Sequence, residues 1–250
     1  MNPITLIRKQ SGGFSLVEMA VVLVILGFVI SALLLPLQGQ REIGFRTQTE
    51  NQLEIARKAL IGFAQANGRL PCPAIDGATG VEVAGGGGVI GTDNCAVQLG
   101  FLPAVTLGIT PTDVDGYAID AWNNRIMYAV SQNSVGGAVT ADFTTSGDMN
   151  TVGISALNPN DLRVCNSSTN CSNTIFLINN AVAVIYSRGQ NAAIGGGPDE
   201  LNQGNDLPPL VFYSRTPTAS TSVDGEFDDM VVWISPYVLY NAMITAGQLR

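Results

Sequence analysis

Gly12-Gly13-Phe14-Ser15-Leu16-Val17-Glu18-Met19, continued by an apolar run to Leu37, is the stretch from which the rest of the chain is read. From Phe14 to Leu37 the only ionised side chain is Glu18. A helix rising about 1.5 Å per residue carries such a run over roughly 35 Å, enough for a bilayer core of about 30 Å. Arg8 and Lys9 precede it with no acid nearby, which favours a leader held on the cytoplasmic side. A secretory signal peptide would place its small-residue cleavage site after the apolar region. Here Gly12 and Gly13 come before it, so a cut at this junction removes the leader and keeps the helix.

Glu18 is the second clue, because an acid in a membrane segment is costly and usually has a partner. A cut before Phe14 creates an α-amino group one helical turn away. The plainer alternative is that Glu18, near one end of the run, reaches the headgroup region.

Gly13-Phe14-Ser15-Leu16-Val17-Glu18 resembles the prepilin cleavage and methylation motif of type IV pilins and type II secretion pseudopilins. The resemblance implies a prepilin peptidase cutting after Gly13, an N-methylated Phe14 as the new N-terminus, and Glu18 neutralising the amine of a neighbouring subunit. It covers about the first fifth of the chain.

Composition narrows the rest. The formal charge is −8, and loss of Arg8 and Lys9 leaves ten basic against twenty acidic side chains. That balance argues against nucleic acid as a partner, since phosphate binding wants clustered Lys and Arg. The chain has no histidine, which excludes Ser-His-Asp and Cys-His catalysis and removes the commonest zinc ligand. The four cysteines, Cys72, Cys95, Cys165 and Cys171, read as disulfides in an oxidising compartment. Three connectivities exist, and proximity along the chain favours Cys72–Cys95 and Cys165–Cys171.

After the leader (1–13) and the membrane helix (14–37), residues 38–67 keep a helical pattern. Ile43, Leu53, Ala56, Leu60, Phe63 and Ala64 recur at helical spacing, and Glu54 stands four before Lys58. Gly68 reads as the C-terminal stop, with Pro71 beyond. Residues 68–250 read as one globular head. The glycine-rich segment 77–91 lacks the Gly-Lys-Ser/Thr of a phosphate loop and reads as a surface loop closed by Cys72 and Cys95.

Segments 175–178 and 181–186 read as buried strands and 230–234 as another, 126–130 and 210–213 are further short apolar runs, and Pro236 opens a last helix to Ala246. Asp120-Ala121-Trp122-Asn123-Asn124-Arg125 resembles the Asp-x-Trp-Gly-Asn turn of major pseudopilins, with Asn in the glycine's place. The expected fold is α+β and pilin-like: a long N-terminal helix, half membrane and half amphipathic, packed on an antiparallel sheet.

Acids concentrate in the last third. Their order resembles the calcium-binding loop of major pseudopilins, which implies Asp199, Asp206 and Asp228 as calcium ligands, with a carbonyl from Arg188. The alternative is a solvated acidic loop. Paired catalytic acids at Asp228 and Asp229 have no recognisable substrate site beside them.

The expectation is a non-enzymatic filament subunit. The resemblance implies as partners prepilin peptidase, the inner membrane before assembly, and identical or related pilin subunits. It implies a single-pass bacterial inner-membrane protein with a periplasmic head, later a periplasmic or extracellular filament. A minor tip pilin whose head binds a surface, a secreted protein or DNA is the alternative, and a membrane-anchored periplasmic enzyme is a third reading.

Overall fold

A computed structural model describes residues 13, 15–132, 143–155, 157, 159–172, 174–192, 196–204 and 209–249. The leader to Gly12, Phe14 and Asp206 lie outside the described residues. The chain divides into two compact units, Met1–Gly44 and Phe45–Arg250. Helix α1 is Leu16–Asn67.

In the first unit the described apolar side chains of α1 are exposed on every side, from Leu16 at 89% to Ile30 at 56%. A helix apolar all round needs an apolar surrounding, which the described residues of this unit do not supply. Among the described residues no helix is long and apolar enough to cross a membrane. The expected span over 14–37 includes Phe14 and the side chains of residues 32–37, which lie outside the description.

In the second unit α1 buries Thr49, Leu53, Ala56, Leu60 and Ala64. Their spacing of three or four residues makes one face. Ile43, expected on that stripe, is 67% exposed, and Phe63 lies under the Arg69 guanidinium at 5.1 Å. Glu54 pairs with Arg57 at 2.9 Å rather than with Lys58. Gly68 ends the helix as expected, with φ +69 and its N–H donating to the Ala64 carbonyl.

Four strands, β1 Leu99–Phe101, β2 Met127–Val130, β4 Ala183–Ser187 and β6 Met230–Ile234, form an antiparallel sheet in the order β1-β2-β4-β6. Two others, β3 Leu162–Cys165 and β5 Leu210–Tyr213, form a parallel pair. Side chains alternate across a strand, and both faces of the antiparallel sheet are covered. Tyr128, Val130, Ala183, Ile185, Val232 and Ile234 pack with the α1 stripe and with Leu239 and Met243 of the last helix. Met127, Ala129, Val184, Tyr186, Val231 and Trp233 pack with Leu162, Val164, Leu210 and Phe212 of the parallel pair. Double burial explains why β2 and β4 read as continuous apolar runs without alternation.

The last helix, α5, is Pro236–Thr245; Ser235 caps it by accepting from the Val238 N–H, and Pro236 occupies its first turn. Short helices α2 Ala104–Leu107, α3 Asp148–Val152 and α4 Pro198–Leu201, with a 3-10 turn at Gly85–Gly87, complete the described elements.

One expected strand is absent among the described residues. Ile175, Phe176 and Leu177 are 58%, 38% and 49% exposed, and only Ile178 bridges to Val164. The Leu177 and Ile178 N–H groups donate to the Val164 carbonyl and the Ile178 carbonyl accepts the Val164 N–H, and among the described residues no longer ladder forms there. Cys72 is bonded to Cys95 and Cys165 to Cys171.

Candidate functional site

The N-terminal end of α1 is closed by its own sequence. Ser15, Leu16, Val17 and Glu18 form a Ser-x-x-Glu capping box, a signal that sequence reading of this stretch missed. The Ser15 N–H donates to Glu18 Oε2 at 3.1 Å, and the Glu18 N–H donates to Ser15 Oγ at 3.2 Å. Glu18 thus stands in the first helical turn, where the dipole favours an anion. Gly13 is exposed, and a Cβ there would meet nothing within 4 Å.

The second site lies where α4 approaches the start of β6. Carboxylate oxygens of Glu200, Asp228 and Asp229 lie within 4.8 Å of one another. Glu200 is placed by the single turn of α4; the other two immediately precede β6. Glu200 Oε1 accepts the Asp228 N–H, and Oε2 accepts from Asn191 Nδ2 at 3.0 Å. Asp228 Oδ2 accepts the N–H groups of Gln190 and Asn191 at 2.7 and 3.1 Å. Its other oxygen, Oδ1, is buried with no partner among the described residues. Gly189 makes this approach possible: with φ +63, a Cβ there would sit 2.4 Å from the Asp228 carboxyl.

Electrostatics set the cluster's chemistry. Burial, then the Glu200 charge, push the Asp229 carboxyl up to about 8. Burial raises Asp228 to about 6, with the Glu200 charge adding to it against the stabilising N–H of Asn191. Such a group holds protons or a cation in the folded state. A cavity of about 230 Å³ adjoins it, lined by Tyr186, Arg188, Asn191, Glu200, Gln203 and Asp229. The donors are hard oxygens, and the orphaned Oδ1 supplies a free lone pair, so the residues fit a calcium-like cation.

Of the expected ligands, Asp228 belongs to this cluster and Asp206 lies outside the described residues. Asp199 does not join them. Its Oδ2 accepts from Arg215 Nε at 2.7 Å and its Oδ1 from the Ser168 N–H at 2.7 Å. Arg215 in turn stacks over the Phe227 ring at 4.6 Å. Asp199 therefore ties the loop closed by Cys165–Cys171 to Arg215. Glu200 and Asp229 were the missed members; each is sequence-adjacent to an expected one, and only the packing of α4 against the start of β6 shows which neighbour faces inward.

The turn at 120–124 leans on the same region. Asp120 Oδ1 accepts the N–H groups of Trp122 and Asn124 at 2.9 and 2.8 Å, and Asn123 adopts φ +66. Ser187 Oγ donates to Asp120 Oδ2 at 2.6 Å, and Asn124 Nδ2 to the Gly189 carbonyl at 2.6 Å. The turn thereby fixes the backbone that cradles Asp228.

Residues 8–34 match the family model of the prokaryotic N-terminal methylation motif, the signature of type IV pilins and pseudopilins. No curated protein and no solved structure matches the chain significantly. The motif supports a pilin-like or pseudopilin subunit and implies an envelope location and filament assembly.

Proposed function

We propose that this chain is a structural filament subunit of the type IV pilus or type II secretion pseudopilus kind. The observation that carries the reading is the methylation motif at 8–34 standing at the head of a helix whose apolar side chains, Leu16 to Ile30, are exposed all round. Among the described residues of their own unit those side chains have no partner surface, and lipid followed by neighbouring helices would supply it.

In this reading prepilin peptidase cuts after Gly13 and Phe14 becomes the N-methylated terminus. Residues 14–37 anchor the subunit in the inner membrane, 38–67 carry the helix into the head, and 68–250 form a pilin-like periplasmic head. Glu18 pairs with the α-amine of a neighbouring subunit as lipid contacts are exchanged for helix contacts, so no charge is left alone in the apolar core. The chemistry is assembly rather than catalysis. Glu200, Asp228 and Asp229 would hold a calcium ion, whose positive charge would offset the repulsion among the three carboxylates between α4 and the start of β6.

Glu18→Ala tests the assembly reading. Filaments recovered at wild-type yield from that variant, with the protein present at normal level, would sink it.

A tip-located binding subunit is the second reading. It is favoured by Val89 and Ile90, 65% and 46% exposed in the glycine-rich loop. Gold labelling confined to filament tips supports it; labelling along the shaft removes it.

A further inference from the structure

We propose that the outward stripe of α1 from Thr47 to Ala66 seats against a second copy of this chain, with Lys58 pairing with a carboxylate of that copy. The inference rests on the filament reading above and names one of its contacts.

Helical geometry comes first. Thr47, Asn51, Ile55, Lys58, Gly62 and Ala66 are all exposed, and their spacing of three or four residues puts them on one face. That face lies opposite the stripe Thr49–Ala64, which packs on the sheet. Apart from Lys58 it is uncharged and mostly small. Ile55 is 51% exposed, and a Cβ added at Gly62 would meet nothing within 4 Å. An exposed helix face low in charge, with an aliphatic residue beside small ones, lets another surface approach the helix closely.

Charge selects the occupant. Residues 45–250 carry twice as many acidic as basic side chains. The described arginines are largely consumed inside the fold: Arg57 by Glu54, Arg69 by Glu82, Arg125 by Asp76, Asp113 and Asp115, and Arg215 by Asp199. Lys58 is exposed and makes no ion pair or hydrogen bond among the described residues. Residues 45–250 are acidic on balance, while this stripe offers a cation with no partner among the described residues. A second copy of the same head is complementary to it, and stacking copies would otherwise set acid against acid.

The chain has only two lysines, Lys9 and Lys58, so loss of the leader leaves Lys58 as the one side-chain amine. That makes the test specific. Filaments of the processed full-length chain are treated with a water-soluble carbodiimide, which joins an amine to a touching carboxylate. The expected result is a ladder of covalent dimers and larger species whose linked peptides join Lys58 to an Asp or Glu. Lys58→Arg should keep the filaments and abolish every link at residue 58, leaving only those that join the Phe14 amine to a neighbour's Glu18. Lys58→Glu should lower filament yield roughly two- to fivefold, the range set by an exposed ion pair, with the head's melting temperature unchanged. Filaments in which Lys58 is acetylated as fast as in the detergent-dispersed chain overturn the inference, as does a Lys58→Glu variant assembling at wild-type yield. If the wild-type chain forms no filaments, the assembly reading falls with it; filaments with a freely reactive Lys58 overturn this contact alone.

Discussion

Ser15 and Glu18 satisfy each other's backbone N–H at 3.1 and 3.2 Å, so the acid of the methylation motif is also the helix cap. One residue therefore carries two separable properties, a hydrogen-bond acceptor and a charge. A Gln at this position keeps the acceptor and loses the charge. Glu18→Gln should assemble as poorly as Glu18→Ala if charge pairing drives assembly. Ser15→Ala loses only a cap, worth about 0.5–2 kcal/mol, and should still form filaments. Filament yields of the three variants check this, and wild-type yield from Glu18→Gln would show that capping alone matters.

Calcium should stabilise the head through Glu200, Asp228 and Asp229. At a hundredfold excess over the dissociation constant the gain is about 2.7 kcal/mol, and a head of this size gains about 2–4 °C per kcal/mol. Calorimetry with calcium and with chelator should differ accordingly. Asp228→Asn or Asp229→Asn should erase the difference. An Asp199→Asn variant should keep it, because that carboxylate is held by Arg215 instead.

Without calcium, the same cluster predicts a pH dependence with a definite sign. Asp229 is raised to about 8 in the folded state, from an ordinary carboxylate value near 4. The native state therefore keeps a proton that the unfolded chain releases. Stability is full below about pH 4 and falls as pH rises towards 8. The melting temperature in chelator should drop between pH 5 and pH 8, and Asp229→Asn should flatten that slope. A melting temperature that rises over this interval contradicts the assignment.

The Arg215–Asp199 pair is buried and hydrogen-bonded, so removing one partner strands the other charge. Arg215→Met should cost about 3–5 kcal/mol, lowering the melting temperature by on the order of 10 °C. A shift of under about 2 °C would show that water reaches Asp199.

The two disulfides should not be equivalent. Cys72–Cys95 closes a separation of 23 residues and Cys165–Cys171 one of 6. In the chain-entropy view the longer loop stabilises more. Replacing Cys72 and Cys95 with serine should lower the melting temperature further than replacing Cys165 and Cys171, as thermal denaturation of both double variants would measure.

By itself the sequence determined whatever depends on neighbours along the chain. Gly13, Phe14 and Glu18 are read from contiguous residues, as are the stop at Gly68 and the Pro236 helix start. The strand Met230–Ile234 was equally legible, because a run of β-branched and apolar residues bounded by Asp229 and Pro236 has few other uses. Tertiary structure decided the rest. Ile175 to Leu177 look like a buried strand, yet they stay exposed and only Ile178 bridges to Val164, while β3 takes as its ladder partner β5, a segment remote in sequence. Glu54 chose Arg57 over Lys58 although both lie within reach on the helix, which left Lys58 outward. Among the seven acids of the last third, nothing local separates Asp199 from Glu200. The difference is which one α4 turns towards Asp228 and which towards Arg215. An ion pair or a ligand set is fixed by distances between segments remote in sequence, and those distances exist only once the sheet has been packed on both faces.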